Sequence, residues 1–189
     1  MTITQKGSFQ VSVLEGDTLS EKDREALLKF ANEDEDLEEE LKCLMDEADK
    51  IARPTALFAV CPVEENATVN GVRIPSDLAV EKLTGRSRCF PYIATCGREL
   101  EVWSEQYKGD YLAEFWADEI KKKFLFHVTQ ATLKHIREAY RTAGHLAAIN
   151  PGSLEKWPVS GIAFESEVFY ENCQHCPLER CPNRRAKRV

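Results

Sequence analysis

The fold is decided by the stretch that begins Gly109-Asp110-Tyr111-Leu112-Ala113-Glu114-Phe115-Trp116 and continues to about residue 143. Within it, five large apolar side chains fall four residues apart and three more continue the stripe, which places them on one face of a helix. They are Leu112, Trp116, Ile120, Phe124, Val128, Leu133, Ile136 and Tyr140. At ~1.5 Å per residue, this helix would span roughly 50 Å. We expect it to be the backbone of the domain, with its apolar stripe in the core.

Strand-like segments lie on both sides of this helix in the sequence. They have the length and the apolar, β-branched composition of strands, and they cover residues 55–63, 68–74, 88–96 and 162–169. Asn70-Gly71 favours the type I′ turn of a hairpin, because both positions of that turn need positive φ. Strands that alternate with helices predict an α+β fold, with one mixed or antiparallel sheet packed by the long helix.

The chain divides into three regions by its sequence pattern. Residues 1–52 are predicted to be a helical segment, residues 53–170 a single α+β domain, and residues 171–189 a short cysteine-rich appendage. Ser20 with Asp23 is typical of a helix N-cap, and the periodic apolar positions of 37–51 predict a second helix.

Composition limits the compartment and the partners. The chain has 189 residues, a net charge of −7 and seven cysteines. It has no apolar run of about 18 residues and no secretory signal, so we expect no membrane partner. An odd cysteine count favours a reducing compartment, and we predict a cytoplasmic protein. The tail over 183–188 is basic, but no aromatic interleaving accompanies it, so we predict no nucleic-acid partner.

The run Cys173-Gln174-His175-Cys176-Pro177-Leu178-Glu179-Arg180-Cys181-Pro182 carries the strongest chemical signal. Cys173 and Cys176 can reach one centre from a single turn, and Cys181 returns after a short loop. A zinc site usually pairs two such knuckles, or one knuckle with two histidines, and no second knuckle is present. The pattern therefore favours an iron–sulfur cluster, of the 4Fe–4S type, over zinc or no metal. The basic tail would favour the negative charge of such a cluster.

A cubane cluster needs a fourth ligand from elsewhere in the chain. Cys96 is our first choice, because it ends a strand beside Gly97, where a backbone turn is expected to expose it. A buried, apolar role is an equally weighted alternative for this residue. Cys61 and Cys89 lie in strand-like runs and are expected to be core thiols, and Cys43 is expected to be structural on a helix.

Several segments together match the pattern of one known family. Ala94-Thr95-Cys96-Gly97-Arg98-Glu99-Leu100-Glu101 matches A-T-x-G-x-E-(L/I)-E, and Asn150-Pro151-Gly152-Ser153-Leu154-Glu155-Lys156-Trp157-Pro158 is close to N-P-G-S-L-x-D-W-P. Residues 171–186 are similar to E-N-C-x-x-C-P-x-x-x-C-P-x-R-R-A. Over residues 50–189 the chain thus resembles the vitamin B12-dependent methionine synthase activation-domain family, and in particular its small stand-alone members from anaerobes.

The resemblance implies a function and a second site. It implies that the chain supports the reductive reactivation of a cobalamin- or corrinoid-dependent methyltransferase, with a corrinoid protein as its partner. It also implies a ligand site lined by Pro151, Gly152, Ser153 and Trp157, where Gly152 would let the backbone approach the ligand closely. A plain turn after the long helix is the alternative for this loop.

Two other functions stay open from the sequence. One is a zinc-stabilised interaction module. The other is an activation domain that binds S-adenosylmethionine without a redox role, although the carboxylate that the family's long helix offers to that ligand has no match in residues 123–127. No hydrolase, metalloprotease or nucleotide-binding motif is present, so the sequence leaves the enzyme class open.

Overall fold

The computed structural model describes residues 2–6, 9–15, 18–149, 158–168, 170, 174 and 187, with the backbone alone for residues 2–15. Its helices are α1 (Glu21–Leu28), α2 (Glu35–Ile51), α3 (Asp77–Leu83), α4 (Arg98–Ser104) and α5 (Tyr111–Ala139). Its strands are β1 (Thr2–Lys6), β2 (Phe9–Glu15), β3 (Thr55–Ala59), β4 (Cys61–Glu64), β5 (Thr68–Val69), β6 (Val72–Arg73), β7 (Arg88–Thr95), β8 (His145–Ile149) and β9 (Val159–Ser166). The fold class is α+β, as the sequence predicts.

The strands form one sheet in the order β1-β2-β3-β7-β4-β5-β6, and β9 pairs with both β7 and β8. The pairs β4–β5, β4–β7, β5–β6 and β8–β9 are antiparallel. Asn70 and Gly71 both have positive φ between β5 and β6, which confirms the predicted type I′ turn.

The structure corrects three element boundaries. The predicted strand over 55–63 is two strands, β3 and β4, that pair with the sheet separately. The predicted strand over 162–169 is β9, which begins earlier, at Val159. The long helix ends at Ala139 rather than at 143, because Arg141 adopts a left-handed conformation and the Thr142 amide turns back to the Arg137 carbonyl.

The chain divides into two compact units, the first made of residues 13–56 and 94–131. Its core is formed by one face of α2, by α4 and by the first part of α5, with Leu41, Met45, Leu100, Trp116 and Ile120 fully buried. The helix α1 begins at a capping box, in which Ser20 and Asp23 each accept from the backbone amide of the other. The predicted stripe of α5 is largely confirmed, but its first member, Leu112, is 40% exposed.

The second unit contains residues 2–12, 57–93 and 132–189. Its core packs the β8–β9 hairpin against β4, β5 and α3, and the buried side chains include Val69, Leu83, Ile149, Ile162 and Phe164. In this unit β8 is a strand that the sequence reading left out. Its residues pair with β9 along their whole length, from His145 opposite Ser166 to Ile149 opposite Ile162.

Candidate functional site

Of the eight predicted site residues, the structure describes one. Seven of them lie outside the described residues, namely Pro151, Gly152, Ser153, Trp157, Cys173, Cys176 and Cys181. The structure places the eighth, Cys96, and also Tyr170 and Gln174, which adjoin or lie within the cysteine run. The convergence of the tail cysteines therefore stays a prediction.

Cys96 follows β7 and is fully buried in the core of the first unit. The expectation that the turn exposes it is wrong. The next residue, Gly97, has φ +100°, and a Cβ there would lie 2.7 Å from the carbonyl oxygen of Arg53. Only glycine fits this close approach of two backbone segments. The residue before this turn, Cys96, thus lies in the core and not at the surface.

The thiol of Cys96 belongs to a polar network with Glu101 and Lys121. Its Sγ donates to Glu101 Oε1 at 3.3 Å, and Lys121 Nζ lies 3.4 Å from Glu101 Oε2 and 3.0 Å from Ser104 Oγ. Lys121 is itself buried and also pairs with Asp118 at 3.0 Å. Although burial alone would lower the pKa of Lys121, these carboxylates raise it, so the ammonium stays charged.

Burial, followed by the charge and hydrogen bond of Glu101, raises the pKa of Cys96 to about 12. The residue is a neutral thiol that donates a hydrogen bond. A cluster ligand must be a thiolate, and Glu101 would then face a second negative charge at hydrogen-bond distance. The described arrangement fits Cys96 as a core thiol better than as an open ligand. Its role as the fourth ligand stays a prediction.

The other described cysteines agree with their expected places. Cys61 on β4 and Cys89 on β7 are directly opposite each other in the antiparallel pair, and both are buried. Burial, and then the neighbouring Cys61, raises the pKa of Cys89 to about 12. Both are therefore core thiols, as the sequence predicts. Cys43 lies on α2 and is exposed.

A pocket of about 400 Å³ adjoins the cysteine run within the second unit. It is bounded by the end of α3 and the turn after it, by β9, and by the two described residues next to the cysteines. The lining residues are Glu81, Lys82, Thr84, Arg86, Phe164, Ser166, Val168, Tyr170 and Gln174. Gln174 stands between Cys173 and Cys176 in the sequence, so one described residue of the cysteine run lines this pocket.

Two cations, Lys82 and Arg86, are among the residues that line the pocket. Lys82 Nζ lies 5.2 Å above the ring of Tyr170, and the guanidinium carbon of Arg86 lies 5.7 Å above the ring of Phe164. Lys82 also pairs with Glu81 at 2.6 Å. Sequence reasoning missed both cations. Their spacing of four residues near the end of α3 is visible in the sequence. Their positions beside the rings of Phe164 and Tyr170 are seen only in the structure.

The remaining described residues offer no second candidate for metal chemistry. Over the described ranges, no group of three or more His, Cys, Asp and Glu side chains is arranged to hold a metal ion. His127, on α5, binds Asp23 with 2.6 Å between Nε2 and Oδ2.

None of the described helices has both the length and the apolar composition needed to cross a bilayer.

Comparison with known proteins adds no family assignment. No protein-family model matches the sequence, and no curated protein matches it either.

Proposed function

We propose that this chain is an accessory protein for the reductive activation or reactivation of a cobalamin- or corrinoid-dependent methyltransferase, and that Cys173, Cys176 and Cys181 hold an iron–sulfur cluster. The C-x2-C-x4-C-P run is the observation that carries the proposal. The resemblance of residues 94–101 and 150–158 to the activation-domain family supports the choice of partner.

The chemistry of the partner defines what the chain must do. Corrinoid methyltransferases cycle through Co(I), which is occasionally oxidised to inactive Co(II), and the return needs one electron at low potential. A bound 4Fe–4S cluster can supply an electron at such a potential. The enzyme class of the chain itself stays open, because its part is electron delivery to a cofactor held by another protein.

The described residues support a cluster at the tail through their charge. A cluster with four thiolate ligands has net negative charge, which neighbouring cations stabilise. Lys82 and Arg86 line the same pocket as Gln174, which lies inside the cysteine run. The chain therefore provides positive charge beside the segment that would hold the cluster. We also place the protein in the cytoplasm, where thiols stay reduced and available to metal.

Anaerobic reconstitution with iron and sulfide tests the proposal. We expect the wild-type chain to gain a broad visible absorbance and stoichiometric iron and sulfide. Cys176→Ala should lose them and keep its circular dichroism spectrum, because the replaced residue lies in the terminal appendage. Cys43→Ala is the matched control, since Cys43 is an exposed cysteine on α2, away from the tail in sequence. It should reconstitute like the wild type.

The second measurement follows the Co(II) absorbance of a corrinoid protein in the presence of a low-potential donor. We expect reduction to be faster with the wild type and Cys43→Ala than with Cys176→Ala. Equal rates for all three chains and for buffer would refute the proposal. A colourless protein with one zinc per chain would instead favour the zinc-stabilised module. Binding of S-adenosylmethionine by metal-free protein would favour an activation domain without a redox role.

A further inference from the structure

The pocket at the end of α3 has the features of an anion site. The side chain of Arg86 donates one hydrogen bond there, from Nε to the Lys82 carbonyl at 3.4 Å. Among the residues that the structure describes, the terminal nitrogens of Arg86 have no hydrogen-bond partner. The central carbon of its guanidinium, Cζ, lies 5.7 Å from the centroid of the Phe164 ring. An arginine fixed in this way, with its terminal donors unused, is preorganised to bind a carboxylate or a phosphate with two parallel hydrogen bonds.

The surroundings of Arg86 also suit an anion. The carbonyl groups at the end of α3 would repel one, but those of Val80, Lys82 and Leu83 already accept hydrogen bonds from Thr84 or Arg86. Lys82 adds a second positive charge within the same pocket. Glu81 is the opposing charge in the lining, and its carboxylate pairs with Lys82. Among the described lining residues, the pocket therefore has two cations and one carboxylate.

Its size and its apolar surface indicate a small organic molecule. The volume of about 400 Å³ lies within the usual range of about 300–1,000 Å³ for small-molecule pockets. The rings of Phe164 and Tyr170 and the side chain of Val168 supply apolar contacts. Polar groups that fix an anionic end and an apolar wall that covers the rest are the usual composition of such sites.

We propose that this pocket binds a small organic oxyanion, a carboxylate or a phosphate ester, whose charged group contacts the terminal nitrogens of Arg86 with Lys82 as the second cation. The described residues of the site lie on α3, in the turn after it, on β9 and just beyond β9, at Val168 and Tyr170. It needs no metal at the cysteines, so it stands independently of the proposed redox function.

Titration of the isotope-labelled full chain by nuclear magnetic resonance tests the site. The probes are inorganic phosphate and succinate, each compared with sodium chloride at the same ionic strength, because salt screens nonspecific attraction. We expect saturable shifts confined to the pocket, at residues such as Lys82, Thr84, Arg86 and Ser166. Tighter binding of phosphate would identify a phosphoryl ligand, and tighter binding of succinate a carboxylate ligand.

Arg86→Gln should weaken binding by about tenfold or more, since it removes a charged hydrogen-bond donor pair. Arg73→Gln is the matched control, because Arg73 is an exposed arginine of the same unit outside the pocket lining. It should change the affinity by less than about twofold. Shifts no larger than those with chloride, or equal weakening by both variants, would overturn the proposal.

A second variant covers the case in which Arg86→Gln does not fold. Arg86→Lys keeps the charge and loses the planar fork, so we expect affinity to fall by about fivefold or more. Unchanged affinity in Arg86→Lys would overturn the proposed pair of parallel hydrogen bonds from Arg86 to the anion. The circular dichroism spectrum and the melting temperature of each variant, compared with the wild type, establish which variant is folded.

Discussion

Gly161→Ala should destabilise the protein through a single clash in β9. A Cβ built on Gly161 would lie 2.5 Å from Tyr92 Oη, 2.6 Å from Cζ and 2.7 Å from Cε1. Carbon atoms in contact are normally about 3.5–4.0 Å apart. Tyr92 is itself buried at 6% exposure in β7, and its burial raises the pKa of the phenol to about 12. The ring therefore has little room to move away from the new methyl group.

The expected loss follows from two opposing effects. Overpacking a core by one methyl group costs about 1–3 kcal/mol of unfolding free energy. Replacing glycine by alanine without backbone strain returns about 0.4–1 kcal/mol, because it restricts the unfolded chain. From the middle of each range we expect a net loss of about 1.3 kcal/mol, which corresponds to about 3–5 °C in melting temperature for a chain of this length.

A double-mutant cycle isolates the contact with Tyr92. Tyr92→Leu removes all three atoms that the alanine methyl would meet, so Gly161→Ala should cost less in that background by about 1 kcal/mol or more. Ser160→Ala, at the exposed neighbour on β9, is the matched control and should stay within about 0.5 kcal/mol of the wild type. Urea unfolding at equilibrium gives each value. An equal cost of Gly161→Ala in both backgrounds would refute the reasoning.

Two further predictions concern Asp23 and the thiols. Burial raises the pKa of Asp23, but hydrogen bonds from Ser20 and His127 and the charges of His127 and Lys123 outweigh it and hold the pKa below 3.8. This lowered pKa stabilises the folded protein above pH 3.8, and the stabilisation is lost as the pH falls through the pKa of the folded state. In urea unfolding, the wild type should therefore be more stable than Asp23→Asn at neutral pH, and the difference in unfolding free energy should shrink in acid. A difference that grows in acid would contradict this. When the three tail cysteines are replaced by serine, four cysteines remain, of which Cys43 is exposed and the other three are buried. One thiol should then react quickly with a thiol reagent, and three should react only on unfolding. Fast reaction of a second thiol would contradict the burial of Cys61, Cys89 and Cys96.

Much of the fold follows from local signals in the sequence. The long helix, the Ser20 cap and the Asn70-Gly71 turn each depend on residues within a few positions of one another, and the structure confirms them. The strand β8 depends on pairing with β9, from His145 opposite Ser166 to Ile149 opposite Ile162, so each partner lies more than ten positions away in the sequence. Its sequence, His145-Leu146-Ala147-Ala148-Ile149, contains two alanines, which have low strand propensity. Long-range pairing overrides that propensity.

The site was less predictable, because its decisive contacts join distant residues. The sequence identifies Cys96 as a thiol beside a glycine, but it does not show that the Arg53 carbonyl passes 2.7 Å from the Cβ position of Gly97. Nor does it show that Lys121, twenty residues after Glu101, reaches the same carboxylate. The Lys82 and Arg86 pair was visible as charge at a helix end, whereas the aromatic rings beneath the two cations come from residues 164 and 170.

The structure weakens the functional argument from residues 94–101, one of the segments that resemble the activation-domain family. In residues 94–101, Gly97 is required by the close approach of Arg53, and Glu101 joins the Cys96 thiol to Lys121. Both residues therefore have a structural reason to be present, independent of any reaction. A protein that shares this fold without sharing its chemistry would need them as well. The segment is therefore explained without redox chemistry, and the argument for such chemistry rests on the spacing of Cys173, Cys176 and Cys181. Their substitution is accordingly the experiment that decides between an electron-transfer protein and a protein that only resembles one.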